Sequence, residues 1–229
     1  MNVEDNIRHV RERMAEAARR SGRPVSAIRL MAVTKTVDDD RILAAIRTGV
    51  GIIGENYVQE AKRKIEKLGK AGEWHLIGRL QTNKVKYAVH LFDMIHSVDR
   101  PELAAELDRR ARGAGRVIPI LIEVNVGGEE SKSGVPLNAA LDLVRVAASL
   151  DNLSIRGLMT MPPWFENPEE SRPYFRALRE LRDKIAGEAI PRVEMGELSM
   201  GMTDDYVVAI EEGATIVRIG RGIFGERKG

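Results

Sequence analysis

Residues 118–126 read IPILIEVNV, a run in which only Glu123 and Asn125 are polar. An apolar run of this length predicts a strand buried on both faces, as in a parallel sheet, rather than a half-solvated antiparallel strand. A helical pattern follows it from Pro136 to Leu150, and another precedes it from Pro101 to Arg112. The same alternation extends outward in both directions. Toward the N-terminus, strands are predicted at Ile28–Thr34, Gly51–Gly54, Trp74–Ile77 and Met94–Val98, with helices at Asp38–Thr48, Val58–Leu68 and Thr82–Val89. Toward the C-terminus, strands are predicted at Ile155–Met159, Glu197–Met200 and Thr215–Ile219, with helices at Glu169–Ala186 and Thr203–Glu212.

Eight strands spaced about 25 residues apart predict an α/β chain closed as a (β/α)8 TIM barrel, here one domain over residues 1–229. The alternative is an open doubly wound sheet, which eight short and evenly spaced strands disfavour. Val3, Ile7, Val10, Met14 and Ala17 or Ala18 form a helical stripe ahead of the first strand, ended by Ser21-Gly22 and Pro24. Only ten residues follow the eighth strand, so this extra N-terminal helix is expected to cover the space a closing helix would fill.

The chain has 229 residues, 43% hydrophobic and 31% charged, which is enough apolar material for a packed core. Lys+Arg is 36 against Asp+Glu 34, and aromatics are 4%. A surplus of two charges with few stacking rings argues against nucleic acid as a partner. The absence of Cys excludes disulfides, thiolate metal sites and Cys nucleophiles. His9, His75, His90 and His96 have no metal-ligand spacing, so no metal site is expected. The first twenty residues are charged throughout and no stretch reaches eighteen apolar residues, so a cytoplasmic protein with no membrane contact is expected.

In a (β/α)8 barrel the reacting groups lie at the C-terminal ends of the strands, with phosphate commonly after strands seven and eight. Lys35 ends the first strand. Desolvation there would favour a neutral, nucleophilic amine, whereas a bland reading has the side chain snorkelling to solvent. Asn56, after the second strand, suits either a ligand contact or a helix cap paired with Gln59. His75 either faces the barrel mouth or is a satisfied core histidine, and position alone favours the core. Lys132, in the polar loop after the fifth strand, either is solvated or holds an anion. Ser199 and Gly201 end the seventh strand, and Gly220 and Arg221 end the eighth. Glycines there let backbone N–H groups approach an anion, and a helix opening at Thr203-Asp204-Asp205 would add positive charge. Arg218 lies within the apolar eighth strand, either paired with an acid on the outer layer or pointing inward to a ligand. An amine, an inward arginine and a phosphate cradle have one economical common ligand, pyridoxal 5′-phosphate.

The stretches AVTKTV, GENYVQE, WHLIGRLQTNK, IHSVD, EVNVGGEESKSG, LSMGMTDDY and VRIGRGIFGER occur in this order from residue 32 to residue 227. On these motifs the chain resembles the YggS/PROSC family of pyridoxal phosphate homeostasis proteins. The resemblance implies the N-terminal barrel of alanine racemase (fold type III) without the C-terminal β domain. It implies a Schiff base on Lys35, Arg218 against the pyridine nitrogen, and Asn56 and His75 among the cofactor-facing residues. It also implies a phosphate held by Ser199, Gly201 and the backbone at Gly220 and Arg221, with Lys132 as a secondary contact. Two positions depart from the family pattern: Thr203 stands where many relatives have Ser, and Arg221 where many have Thr or Ser.

Racemases of this fold type take an acid–base group from a second, β-rich domain, and Tyr57, Tyr87, Tyr174 and Tyr206 lie in no racemase-like motif. A protonated arginine on the pyridine nitrogen also leaves the ring a poor electron sink. The expected function is therefore intracellular cofactor homeostasis by storage, shielding or delivery, without evident catalysis. Apo forms of pyridoxal phosphate-dependent enzymes are expected as partners and a monomer as the working state, with an amino-acid racemase as the alternative.

Overall fold

The computed structural model describes residues 2–129 and 132–226. Glu130, Ser131 and Arg227, which belong to the motifs above, lie outside the described residues. Helix α1 (Val3–Arg20) starts where the Asn2 side chain accepts a hydrogen bond from the Asp5 N–H. Glu4 and Asp5 occupy its first turn and Arg19 and Arg20 its last, each sign favourable to the helix dipole. Its buried stripe is the predicted one, with both Ala17 and Ala18 buried.

The alternation then runs β1 (Arg29–Val33), α2 (Asp39–Arg47), β2 (Ile52–Glu55), α3 (Val58–Leu68), β3 (Glu73–Leu76), α4 (Val85–Leu91), β4 (Met94–Val98) and α5 (Pro101–Gly113). It continues with β5 (Ile118–Asn125), β6 (Val135–Pro136), α6 (Ala140–Ala148), β7 (Leu153–Met159), α7 (Arg172–Gly187), β8 (Val193–Ser199), α8 (Tyr206–Glu211), β9 (Ile216–Ile219) and α9 (Arg221–Phe224). Every strand pairing is parallel. The order β4-β3-β2-β1-β9-β8-β7-β5 closes on itself because β4 also pairs with β5, Ile95 opposite Ile120. The chain is a closed eight-stranded barrel, and the open sheet is excluded. Helix α1 covers the barrel beside the short α8 and α9, as expected, with Asn6 donating to the Ile223 carbonyl and Arg23 to the Ile210 carbonyl, both at 2.8 Å.

The differences from the expected elements are local. β6 is two residues long, outside the barrel, and pairs with Val124 and Asn125 of β5. The predicted helices from Thr82, Pro136 and Glu169 each begin as a 3-10 turn, at Thr82–Lys84, Leu137–Ala139 and Pro168–Ser171. The helix expected at Thr203 begins three residues later, because residues 203–205 form a turn. β8 starts at Val193 rather than Glu197, its early half hidden in the sequence by Glu194 and Gly196.

Strand alternation sorts the side chains into two populations. Leu30, Ala32, Ile53, Trp74, Val217 and Ile219 belong to the main core beneath the helices. The barrel interior holds two smaller apolar patches, Met31, Ile52, Ile77 and Ile216 in one and Met94, Leu121 and Met159 in the other. His75, His96, Ser199 and Arg218 are also buried there. The interior thus departs from the branched aliphatic layers usual for this fold. Among the described residues, no helix is long and apolar enough to cross a membrane.

Candidate functional site

Lys35 follows β1 at the barrel mouth and lines a cavity of about 870 Å³ together with Val33, Arg41, Gly220 and Arg221. The backbone around it is tied down by a buried charge cluster. Lys64 Nζ, fully buried on α3, donates to the Thr34 carbonyl at 2.5 Å, to Glu55 Oε1 at 2.6 Å and to Glu60 Oε1 at 2.7 Å. The Thr34 hydroxyl donates to the same Glu55 oxygen at 2.5 Å, and the Thr36 N–H donates to Glu60 at 2.7 Å. The residues immediately before and after Lys35 are therefore anchored on one cluster. Thr36 has φ 63°, a left-handed conformation that costs a branched residue about 1 kcal/mol and persists here under the Glu60 contact. Burial pushes the Glu55 carboxyl up, against the pull of Lys64 and Thr34. Burial also raises Glu60, but the bonds from Lys64 and the Thr36 N–H outweigh it and hold that carboxyl below its usual range.

The opposite wall is built by β8 and β9. Arg218 is 3% exposed and stands opposite Met31 in the pairing of β9 with β1, while its neighbours Val217 and Ile219 face the helices. The side chain therefore points into the barrel. Its Nη1 donates to the Ser199 carbonyl at 2.6 Å and to Ser199 Oγ at 2.8 Å, and its Nη2 donates to the Thr160 carbonyl at 2.8 Å. All three acceptors are neutral. Burial lowers its pKa to about 10, with Asp205 and Glu123 pulling it back up, so the guanidinium stays charged at neutral pH. Among the described residues it forms no ion pair with an outer acid, contrary to the bland reading of this residue.

The two glycine turns close the cradle. Gly201 has φ 90°, and a Cβ there would lie 2.5 Å from the Ala209 Cβ, so only glycine fits. Gly220 precedes α9 and packs against Val33, where an added Cβ would approach to 3.5 Å. The Gly222 N–H donates to the Thr203 hydroxyl at 3.1 Å, joining the turn after β8 to the turn after β9. Arg221 reaches both carboxylate oxygens of Asp204 at 2.6 Å and Glu226 at 3.2 Å, so its side chain braces these turns.

Three expectations need correction. Ser199 is fully buried below the cradle, and its hydroxyl is engaged by Arg218 and by His96 Nδ1 at 3.0 Å, so it does not face the phosphate position. His75 does not reach the mouth. It is fully buried, with Nδ1 3.0 Å from His96 Nε2 and Nε2 3.1 Å from Glu73. Asn56 does not cap α3, whose first turn follows Tyr57 with no side-chain cap. Its Oδ1 is buried with no hydrogen-bond partner among the described residues, and the residue lines a neighbouring cavity of about 510 Å³ with Arg79, Lys84 and Arg100. Lys132 pairs with Glu129 at 2.8 Å within its loop.

Lys35, Gly220 and Arg221 thus meet at one cavity, whereas Gly201, Arg218, Ser199, His75 and Asn56 do not line it. Gly201 is joined to β9 by the Arg218 N–H, and Arg218, Ser199 and His75 are buried in the barrel interior. Sequence reasoning missed Lys64, His96, Thr160 and Glu123. Glu123 is 3% exposed on β5, and burial, then the charge of Asp99, raises its pKa to about 7. A Glu inside an otherwise apolar strand was the available signal. The donor set suits a small molecule with an aldehyde for the amine, an acceptor for the guanidinium and an anionic group for the glycine turns. The unsatisfied Asn56 oxygen leaves room for one further polar contact.

The alanine racemase N-terminal domain family matches residues 2–228. A protein of Aquifex aeolicus (strain VF5) named pyridoxal phosphate homeostasis protein is 49% identical over 229 residues, covering all of both chains. The crystal structure of an unknown protein from Bifidobacterium adolescentis superposes with TM-score 0.92 at 39% identity, over 97% of this chain and 94% of that one. The structure of PipY from Synechococcus elongatus PCC7942 with PLP bound superposes with TM-score 0.82 at 35% identity, over 94% of this chain and 100% of that one.

Proposed function

The chain belongs to the pyridoxal phosphate homeostasis protein family, built on the alanine racemase N-terminal domain, and on that premise we propose that it binds pyridoxal 5′-phosphate through a Schiff base on Lys35 and stores, shields or delivers it without catalysis. The observation that carries this reading is the cavity shared by Lys35 and the Gly220-Arg221 turn, which follows on β9 from the buried, inward Arg218, a guanidinium with no carboxylate bonded to it among the described residues. Bound there, the cofactor supplies a reversible carbonyl–amine linkage and an anionic handle.

Each residue has a defined task. The Lys64 cluster holds the Thr34 and Thr36 backbone so that Lys35 projects from a fixed base. The turns around Gly201 and Gly220 grip the phosphate through backbone N–H groups, with Thr203 locking one turn to the other. Arg218 faces the ring nitrogen as a permanent cation, which binds the ring and withholds a proton from it. Asn56 contacts the ring edge from the adjoining cavity. The carboxylates lining the main cavity are already engaged. Asp38 caps α2 by accepting from the Arg41 N–H at 3.0 Å, and Glu226 pairs with Arg221. Among the described residues no tyrosine, histidine or cysteine lines that cavity, and Tyr57 lines the neighbouring one beside Asn56, which supports a binding role over racemisation. We assign the chain to the cytoplasm, as a monomer handing its ligand to apo-enzymes.

The test is an absorption spectrum of the purified protein before and after borohydride, with the fixed label mapped by peptide mass. The expected result is a visible band that reduction removes, a label on Lys35, and no visible band in Lys35→Ala. A label on another lysine overturns the attachment site. Sustained inversion of a single L-amino acid, read by chiral chromatography, overturns the non-catalytic role in favour of a racemase.

A further inference from the structure

Beneath Arg218 a chain of hydrogen bonds runs to the opposite rim of the barrel. Arg218 Nη1 donates to Ser199 Oγ at 2.8 Å. Ser199 Oγ lies 3.0 Å from His96 Nδ1, His96 Nε2 lies 3.0 Å from His75 Nδ1, and His75 Nε2 lies 3.1 Å from Glu73 Oε2. His75, His96 and Ser199 are fully buried. Glu73 stands at the rim, 3.6 Å from Arg29, which also pairs with Glu197 at 2.6 Å.

The carboxylate end sets the direction of donation. A guanidinium can only donate, and an ionised carboxylate can only accept. With Glu73 accepting, a neutral His75 carries its proton on Nε2 and leaves Nδ1 bare. His96 must then donate from Nε2, leaving its own Nδ1 to accept the Ser199 hydroxyl hydrogen. Ser199 Oγ is thereby left with lone pairs for Arg218. Reversing His75 would set two lone pairs against each other at Glu73, and reversing one ring alone would leave two donors or two acceptors facing each other between His75 Nδ1 and His96 Nε2.

The structure assigns Glu73, His75, His96 and Ser199 as a one-way relay of positioning residues that fixes both imidazole tautomers and holds Arg218 against the ligand ring. Burial, with the charge of Arg218 adding to it, keeps His96 well below the ordinary imidazole range, consistent with a neutral ring. The hydrogen bond from His75 holds the Glu73 carboxyl below its usual range. This assignment rests on the proposed role of Arg218 toward pyridoxal phosphate, but its first test does not need the ligand.

Long-range proton–nitrogen correlation spectra of the ligand-free protein should show both His75 and His96 neutral and protonated on Nε2. Glu73→Gln, whose amide can donate or accept, should add signals from rings protonated on Nδ1. A wild-type ring protonated on Nδ1, or identical ring signals in Glu73→Gln, overturns the relay. In the loaded protein, dissociation of pyridoxal phosphate should quicken about tenfold in Ser199→Ala and about threefold in Glu73→Gln. Unchanged dissociation in Ser199→Ala overturns the positioning role. If the protein takes up no pyridoxal phosphate, the function above fails while the spectra still decide the relay.

Discussion

Lys64 and Arg218 are both cations removed from water, and the protein treats them in opposite ways. Lys64 meets Glu55 and Glu60 at 2.6 and 2.7 Å, so its charge is neutralised where it stands. Arg218 meets two carbonyls and a hydroxyl, and its charge is solvated without being cancelled. A buried ion pair whose members satisfy each other is a structural fastener, here for the backbone on either side of Lys35. A buried cation hydrogen-bonded only to neutral groups, with Asp205 and Glu123 acting on it without a bond, keeps part of its field for something else, and it stands two residues before Gly220 of the cavity proposed to take an anionic, nitrogen-containing ring. The contrast separates scaffold from site more sharply than burial does, because both side chains are almost wholly enclosed.

Three substitutions break or sharpen this contrast. Lys64→Met leaves Glu55 buried without its partner and should cost about 3–5 kcal/mol in urea unfolding. A loss under about 1 kcal/mol would mean the cluster contributes no more than a surface pair.

Glu123 gives the next largest effect, and its sign is opposite to that of a salt-bridged acid. Burial raises its pKa from 4.5 to about 7, so the folded state holds the proton more tightly than the unfolded chain does. Its contribution is present below about 4.5 and is lost as pH rises through about 7. Glu123→Gln should therefore raise stability at pH 8 by about 2–3 kcal/mol and leave it unchanged at pH 4. Unfolding curves at the two pH values check this, and an equal gain at both would show that ionisation is not the cause.

The smallest change in stability should come from Arg218→Met, within about 2 kcal/mol, because relief of an enclosed charge offsets the lost bonds to Ser199 and Thr160. Ligand dissociation from the same variant should nonetheless quicken at least about tenfold, since a bond to a charged group is lost. Lys64→Met and Arg218→Met thus separate stability from retention in opposite directions.

The features legible in the sequence were the local ones. Helix α3 (Val58–Leu68) and strand β4 (Met94–Val98) lie where apolar spacing placed them, and α1 also matches its predicted stripe. Lys35, Gly220 and Arg221 were found by their place at strand ends, and they do share a cavity. Ser199 and His75 were also near strand ends, yet both lie deeper. Position along the chain identifies which strand carries a residue but not at which level of the barrel its side chain ends. β6 was missed because Val135–Pro136 has no periodicity to read and its pairing is with a strand ten residues away.

The sequence by itself determined the parallel barrel, the helix that covers it and the amine at its mouth, since periodicity and turn chemistry act between near neighbours. Only the tertiary structure decided which buried charge is cancelled and which is left to act. Those partners lie far apart along the chain: Lys64 from Thr34, His96 from Ser199, Arg218 from Thr160. Closing the barrel brings these groups to within hydrogen-bonding distance, and no local pattern encodes a bond between residues that only closure makes neighbours.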